Sequence, residues 1–217
     1  MKLISKLLTK CVLIIVVLIF TLFITACKKK METYCEKNKK CRTNPDIDNT
    51  KLMGSKPICE YYDCRKNGKA NEKLLQEFNG VIISGSPILI TEEDMSPYLE
   101  HGSWIKNTSI PILGICFGHQ LIGLLYEAAG SRMRACREFN EIEQFMDCPI
   151  LDRLPDIFHM QEDHCESISI PSEFILVANS DECVNEVMMH ESKAIFGVQF
   201  HPEVSGNQGH LLIENFI

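Results

Sequence analysis

The stretch PILGICFGHQLIGLLYEAAG, residues 111–130, joins an apolar strand to an amphipathic helix through a sharp turn. Residues 110–115 are apolar and predict a buried strand. Cys116-Phe117-Gly118 forms the turn, and an apolar stripe at helical spacing then runs to Gly130, a residue typical of helix ends. This order of strand, turn and helix predicts an α/β fold.

Similar patterns occur on both sides of this stretch. Apolar segments predict strands over residues 58–62, 80–84, 174–178 and 194–200, and helical patterns cover residues 71–78 and 211–216. Thr91 and Asp94 are spaced as a capping pair for a helix that runs toward Trp104. Apolar strands that alternate with helices predict a mostly parallel sheet with helices on both faces.

Length and charge restrict the class of protein. A chain of 217 residues with 45% hydrophobic and 24% charged residues suits one globular domain. The net charge is −7, but residues 1–30 contain six lysines and no acid, so residues 31–217 carry a net charge of −13. An acidic domain lacks the basic surface that phosphate binding needs, which excludes nucleic acid as a partner.

The N-terminus has the pattern of a membrane signal. Three lysines precede the apolar run CVLIIVVLIFTLFIT, residues 11–25, and three more follow Cys27. The run is shorter than the roughly 20 residues of a membrane-spanning helix and suits a secretory signal. Residues 24–27, ITAC, resemble the lipobox of bacterial lipoproteins, which predicts lipidation at Cys27 and an envelope protein attached to the membrane. An uncleaved anchor that leaves the domain on the cytoplasmic face and a buried first strand are the alternatives.

These signals divide the chain into three parts. Residues 1–27 are the predicted signal or anchor, residues 28–56 are a polar linker, and residues 57–217 are the folded domain. Cys35, Cys41, Cys59 and Cys64 lack the spacing of a zinc site, so we predict no metal there. In an exported protein they predict one or two disulfides, and in a cytosolic protein they are free thiols.

Cys116 is the candidate nucleophile. It lies between Gly114 and Gly118 at the predicted strand-to-helix turn, the arrangement of a nucleophile elbow. The elbow strains the backbone and brings the strand close to the helix, so its flanking positions need glycine. The helix N-terminus also stabilises a thiolate, the reactive form of cysteine. A structural cysteine beside packing glycines is the alternative for this motif alone.

A second motif, GVQFHPE at residues 197–203, supplies a base and an acid. His201 follows a predicted strand and so lies at the sheet edge where Cys116 emerges. Glu203 can orient the imidazole and stabilise its cation, as the third member of a triad does. Backbone N–H groups of Gly85, Ser86 and Phe117 are the candidate oxyanion hole, because both turns follow strands that end at this edge.

The two motifs together resemble the signatures of class I glutamine amidotransferases, in particular free-standing members such as the GMP synthase amidotransferase domain. Residues 81–87 resemble the oxyanion strand of that family, His164-Cys165-Glu166 resembles its His-x-Asp segment, and residues 209–216 resemble its closing helix. The resemblance implies a flavodoxin-like domain in which Cys116, His201 and Glu203 hydrolyse the glutamine amide through a γ-glutamyl thioester. It also implies that Gln120 contacts the bound glutamine and that no cofactor or metal is needed.

The sequence departs from this family in three ways. The first strand normally lies about 40 residues before the oxyanion turn, and the polar residues 31–50 predict no strand. Ser86 replaces a glycine, a variation that also resembles γ-glutamyl peptidase relatives. No synthetase module follows the domain, which implies either a separate ammonia-accepting synthetase subunit or a purely hydrolytic role. A γ-glutamyl peptide hydrolase and a catalytically silent lipoprotein that serves as a binding module are the remaining alternatives.

Overall fold

A nine-stranded sheet runs through the computed structural model, which describes residues 11–16, 58–63, 75 and 78–217. The strands are β1 (Cys11–Val16), β2 (Ile58–Asp63), β3 (Gly80–Ile83), β4 (Ile112–Ile115), β5 (Gly130–Cys136), β6 (Phe139–Gln144), β7 (Ile157–Gln161), β8 (His164–Ile168), β9 (Phe174–Asn179), β10 (Val187–His190) and β11 (Ile195–Val198). Their order in the sheet is β2-β1-β3-β4-β11-β10-β9-β6-β7, and β5 and β8 form a separate antiparallel pair.

One half of the large sheet is parallel and the other half is antiparallel. The parallel half contains β2, β1, β3, β4 and β11. Every residue of β3, β4 and β11 is buried, as expected for strands that are covered on both faces. β10, β9, β6 and β7 add four antiparallel strands beyond β11. The α/β fold is confirmed, and the sequence did not predict the antiparallel extension.

Helices cover both faces of the parallel half. They are α1 (Ser96–Gly102), α2 (Phe117–Leu125) and α3 (Gly206–Phe216), and short 3-10 helices occupy Ser103–Asn107, Pro149–Leu151 and Pro202–Val204. On one face, Ile122 of α2 packs in a cluster with Ile83 and Ile112. On the other face, Leu212 of α3 packs in a cluster with Leu113 and Val198. Burial of both faces positions the carboxyl ends of β3, β4 and β11 along one edge.

The first strand of the domain lies within the N-terminal apolar run. Residues of β1 pair in parallel with β2 on one side and with β3 on the other. This position differs from the predicted division at residue 57, because it places part of the predicted leader inside the sheet. Apolar residues that are β-branched suit an interior parallel strand, which explains why the strand absent from residues 31–50 is found here.

The remaining predictions for the N-terminal region are outside the described part of the chain. They concern the lipidation site Cys27, the linker of residues 28–56, and the side chains of Cys35, Cys41, Cys59 and Cys64. Within the described residues, no helix is both long enough and apolar enough to cross a membrane.

The start of α1 differs from the predicted capping pair. The Thr91 hydroxyl donates to the Glu166 carboxylate instead of capping the helix. Asp94 Oδ1 accepts a hydrogen bond from the Ser96 backbone N–H at 3.0 Å. The prediction of Thr91 as the cap was therefore wrong, because a distant strand supplies a charged acceptor that sequence spacing does not reveal.

Candidate active site

The turn between β4 and α2 holds Cys116 in a strained conformation. Its φ of 51° and ψ of −106° lie in a region that L-residues rarely adopt. Two hydrogen bonds fix its backbone, since its N–H donates to the Val198 carbonyl at 2.8 Å and its carbonyl accepts from the Gln120 N–H at 3.0 Å. The strain is therefore held in place by β11 on one side and by α2 on the other.

Glycine is required on both sides of Cys116. A Cβ atom at Gly118 would lie 2.1 Å from the Ile83 carbonyl oxygen, and a Cβ atom at Gly114 would lie 2.6 Å from backbone atoms of Gly118. Both contacts are with backbone, which cannot move aside as a side chain can. The close packing of strand, turn and helix expected from the G-x-C-x-G spacing is present.

His201 and Glu203 form a hydrogen-bonded pair beside Cys116. His201 follows β11, and its backbone N–H donates to the Gln161 carbonyl at 2.8 Å. Its Nδ1 lies 2.7 Å from Glu203 Oε1, and the two side chains are 18% and 44% exposed. Because Nδ1 faces the carboxylate, the other ring nitrogen is the one available to Cys116.

The imidazole of His201 has a strongly shifted pKa. Burial disfavours its charged form, but hydrogen bonds to the Cys116 thiol and the Glu203 carboxylate outweigh burial and raise the pKa from 6.5 to about 11. At neutral pH this geometry favours an imidazolium between a sulfur and a carboxylate. A cysteine, a protonatable base and an acid that orients the base are the elements of nucleophilic catalysis.

The predicted oxyanion turn lies against these side chains. A Cβ atom at Gly85 would be 3.1 Å from His201 Cε1 and 3.5 Å from the Cys116 Cβ, so the turn directly contacts the pair. The Ser86 hydroxyl accepts a hydrogen bond from the Ile88 N–H at 3.3 Å and so braces the turn. Phe117 is the first residue of α2, where helix geometry leaves the backbone N–H without an intrahelical acceptor. The oxyanion role of the three residues stays a prediction.

Gln120 is buried below Cys116. Only 3% of it is exposed, and its Nε2 donates at 3.1 Å both to Gln199 Oε1 and to the Glu166 carbonyl. Gln199 in turn directs its Nε2 toward the Cys116 sulfur at 3.8 Å. These contacts give Gln120 a positioning role through Gln199, and its predicted contact with glutamine stays untested.

Sequence reasoning missed the roles of Gln199 and Glu166. Gln199 is the third residue of the GVQFHPE motif, and this membership was the available signal. The Glu166 carboxylate accepts backbone N–H groups of Ile90 at 2.6 Å and Thr91 at 3.1 Å. Glu166 thereby ties β8 to the segment that follows the Gly85 turn.

The comparisons with known proteins agree with this geometry. Residues 53–217 match the glutamine amidotransferase class-I family. The chain belongs to the class I glutamine amidotransferases. It is 38% identical over 140 residues to a glutamine-hydrolysing GMP synthase subunit of Pyrococcus furiosus, an alignment that covers 63% of this chain and 73% of that protein. The corresponding subunit of Methanocaldococcus jannaschii is 34% identical over 145 residues, or 65% of this chain and 73% of the relative.

Solved structures share the fold of this amidotransferase. A protein of Thermoplasma acidophilum described as a GMP synthase subunit aligns with a TM-score of 0.71 and 22% identity, over 95% of this chain and 92% of the other. A glutamine amidotransferase of Thermotoga maritima aligns with a TM-score of 0.62 and 20% identity, over 95% and 82% of the two chains. At these identities the structural likeness establishes the α/β fold.

Proposed function

We propose that this amidotransferase hydrolyses the side-chain amide of glutamine, with Cys116 as nucleophile, His201 as base and Glu203 as its partner. The observation that carries this proposal is the strained Cys116 beside an imidazole that Glu203 holds at 2.7 Å. A thiol at a positive φ has a structural cost and no packing benefit, which supports a chemical role.

The proposed reaction proceeds through a thioester. The Cys116 sulfur attacks the amide carbon of glutamine while His201 holds the proton of the thiol. The oxygen of the tetrahedral intermediate accepts hydrogen bonds from the backbone N–H groups of Gly85, Ser86 and Phe117. His201 then protonates the leaving nitrogen, and ammonia departs. Water, deprotonated by His201, attacks the γ-glutamyl thioester and releases glutamate and the thiol.

Glutamate release by the full 217-residue chain under reducing conditions tests this reaction. We expect Cys116→Ala to abolish release, whereas Cys165→Ala retains it, because Cys165 is a free thiol outside the pair. A diazoketone analogue of glutamine, which alkylates the attacking sulfur, should label the peptide that contains Cys116. Alkylation of another cysteine, or glutamate release that survives Cys116→Ala, would refute the assignment.

The same assay separates the two enzymatic substrates. We expect hydrolysis of glutamine to exceed that of γ-glutamyl dipeptides, because the relatives with 34–38% identity are glutamine-hydrolysing by name. Ser86 is the sequence feature that favours the peptide substrate. A higher kcat/KM for dipeptides would identify a γ-glutamyl peptide hydrolase, and no turnover or labelling of a folded chain would identify a silent binding module.

We further propose that the ammonia passes to a synthetase subunit. The relatives are each named as one subunit of GMP synthase, and the name of a subunit supports a partner chain. Addition of a GMP synthase synthetase subunit should raise glutamine turnover and couple it to amination of the acceptor. Turnover that the added chain leaves unchanged would support the purely hydrolytic role.

Membrane attachment through the N-terminus, with lipidation at Cys27, stays a prediction. Cleavage before Cys27 would remove β1 from between β2 and β3. The intact mass of the protein from membrane and soluble fractions tests it. A diacylated chain that starts at Cys27 would establish the lipoprotein and require another partner for β2 and β3, whereas a chain that retains residues 11–16 would support the pairing of β1.

A further inference from the structure

Three ionisable side chains meet in the interior beyond the candidate catalytic pair. Glu162 lies directly before β8, His164 begins β8, and Glu186 lies directly before β10. Glu162 and Glu186 are completely buried, and His164 is 8% exposed. One ligand atom from each residue lies within 4.8 Å of the other two. We refer to these residues as the buried carboxylate cluster.

Most polar atoms of the cluster are unpaired. Among the described residues, no hydrogen-bond partner exists for either carboxylate oxygen of Glu162, for Oε2 of Glu186 or for Nε2 of His164. His164 Nε2 is 3.0 Å from Glu162 Oε2, but the contact lacks hydrogen-bond geometry. Buried polar atoms without partners are rare and costly, and two carboxylates at close range add repulsion. The cluster therefore needs a cation.

The orientation of His164 indicates which form of the imidazole faces the cluster. Its Nδ1 lies 2.9 Å from the Glu166 carbonyl oxygen, which can only accept a hydrogen bond. Nδ1 therefore carries a proton, and in the neutral ring Nε2 presents a lone pair toward the two carboxylates. Histidines that bind metals commonly have their second ring nitrogen held by a carbonyl in this way.

We propose that Glu162, His164 and Glu186 bind a divalent first-row transition-metal ion. Two carboxylates and a neutral imidazole balance the charge of such an ion, and the nitrogen donor favours Mn²⁺ or Zn²⁺ over Ca²⁺ or Mg²⁺. Bond lengths of about 2.0–2.2 Å would draw the three ligand atoms modestly together. The Ser180 hydroxyl donates to Glu186 Oε1 at 2.6 Å and leaves Oε2 for the metal.

An acidic cleft provides an entry path to the cluster. The cleft has a volume of about 350 Å³ and is lined by four carboxylates, those of Glu141, Glu143, Asp181 and Glu182. Ser180 also lines it, and the same hydroxyl contacts Glu186 of the cluster. Negative charge at the cleft raises the local concentration of cations and so favours metal uptake at this side of the molecule.

The metal would stabilise the segments that hold the candidate catalytic residues. The Glu186 carbonyl accepts the Gln199 N–H at 2.8 Å, and the carbonyl of Gln161, next to Glu162, accepts the His201 N–H at 2.8 Å. Two of the three ligands are therefore bonded through backbone to the chain around His201. A bound ion would fix these segments relative to one another, which makes the site a structural one.

Metal titration of the full chain tests this site. After removal of metals by a chelator, we expect wild-type protein to bind one Mn²⁺ per chain and to melt at a higher temperature with Mn²⁺ than without it. Mn²⁺ is the probe of choice because the many thiols of this chain bind it weakly. Glu162→Gln and Glu186→Gln should lose both the stoichiometric binding and the thermal shift.

The controls separate this site from the cleft and from the candidate nucleophile. Glu143→Gln removes an exposed carboxylate of the cleft and should retain one Mn²⁺ per chain, and so should Cys116→Ala. Anomalous diffraction from wild-type crystals soaked in Mn²⁺ should show a peak among the three residues, which needs no variant to fold. No peak there at saturating Mn²⁺, or binding that survives both glutamine variants, would overturn the proposal.

A cluster neutralised only by shared protons gives a different result. In that case Glu162→Gln would match or exceed wild type in stability, and Mn²⁺ would leave the melting temperature of both proteins unchanged. This outcome would also overturn the metal site. Neither result depends on glutamine hydrolysis, so the proposed function and the metal site can fail separately.

Discussion

Two histidine–glutamate pairs in this chain have the same chemistry and opposite surroundings. His201 and Glu203 are partly exposed and make a direct hydrogen bond of 2.7 Å. His164 and Glu162 are buried at 3.0 Å without hydrogen-bond geometry, and Glu186 adds a second carboxylate. The first pair can hold a mobile proton, whereas the second requires a fixed cation. Surroundings, more than residue type, therefore determine what such a pair does.

Removal of the exposed imidazole should give the largest effect. We expect His201→Gln to lower kcat/KM for glutamine by at least about 10³-fold, as loss of a catalytic base does. Circular dichroism should show an unchanged fold. His159→Gln is the matched control, because His159 also pairs with a glutamate, Glu141, but at 3.9 Å on the surface. A comparable loss in the control would remove the distinction.

Removal of the buried imidazole should act on stability instead. His164→Ala is expected to lower the free energy of unfolding by about 2–4 kcal/mol, because it opens a cavity and loses the hydrogen bond to the Glu166 carbonyl. His201→Ala should lower it by less than about 1 kcal/mol, since that side chain is partly exposed. Urea denaturation of both variants measures the difference, and equal values would contradict it.

Neutralising Glu203 should weaken the exposed pair without breaking it. We expect Glu203→Gln to lower kcat by about 10-fold to 10²-fold and to lower the pKa of His201, because the carboxylate helps to hold its proton. NMR titration of the imidazole reports the pKa. Glu141→Gln serves as the surface control. An unchanged pKa in Glu203→Gln would exclude Glu203 as the orienting acid.

The pH dependence of stability gives the smallest effect. Because folding raises the pKa of His201 from 6.5 to about 11, its contribution is complete below pH 6.5 and is lost as the pH rises toward 11. The free energy of unfolding should fall across this window by at most about 1.4 kcal/mol per pH unit. Urea titrations between pH 7 and 10 should show a shallower fall for His201→Gln. Identical slopes would show that His201 does not retain the proton.

The central part of the fold could be predicted from the sequence, and the edges could not. Residues 111–130 identify β4, the turn and α2, because a buried parallel strand and an amphipathic helix have distinct periodicities. β6 and β7 were missed because exposed and buried residues alternate there without a strong apolar run. β1 was assigned to a leader because an apolar run has the same composition in a signal and in an interior strand.

The candidate site shows the same division. Cys116, His201 and Glu203 lie in two short motifs, and the structure brings them together as expected. The cluster of Glu162, His164 and Glu186 could not be predicted, because its residues come from two segments without metal-ligand spacing. Glu166 was likewise missed as a link between strands, since its partners Ile90 and Thr91 lie about 75 residues earlier in the chain.

The position of β1 has a consequence for how the protein forms during synthesis. The strand leaves the ribosome before both of its neighbours in the sheet, which lie about 40 and 65 residues later. At roughly 5–20 residues per second, its backbone donors and apolar side chains stay unpaired for several seconds. A nascent chain with such a segment depends on chaperones until β3 emerges. Expression yield should therefore respond to chaperone supply more strongly than the stability of the finished sheet suggests.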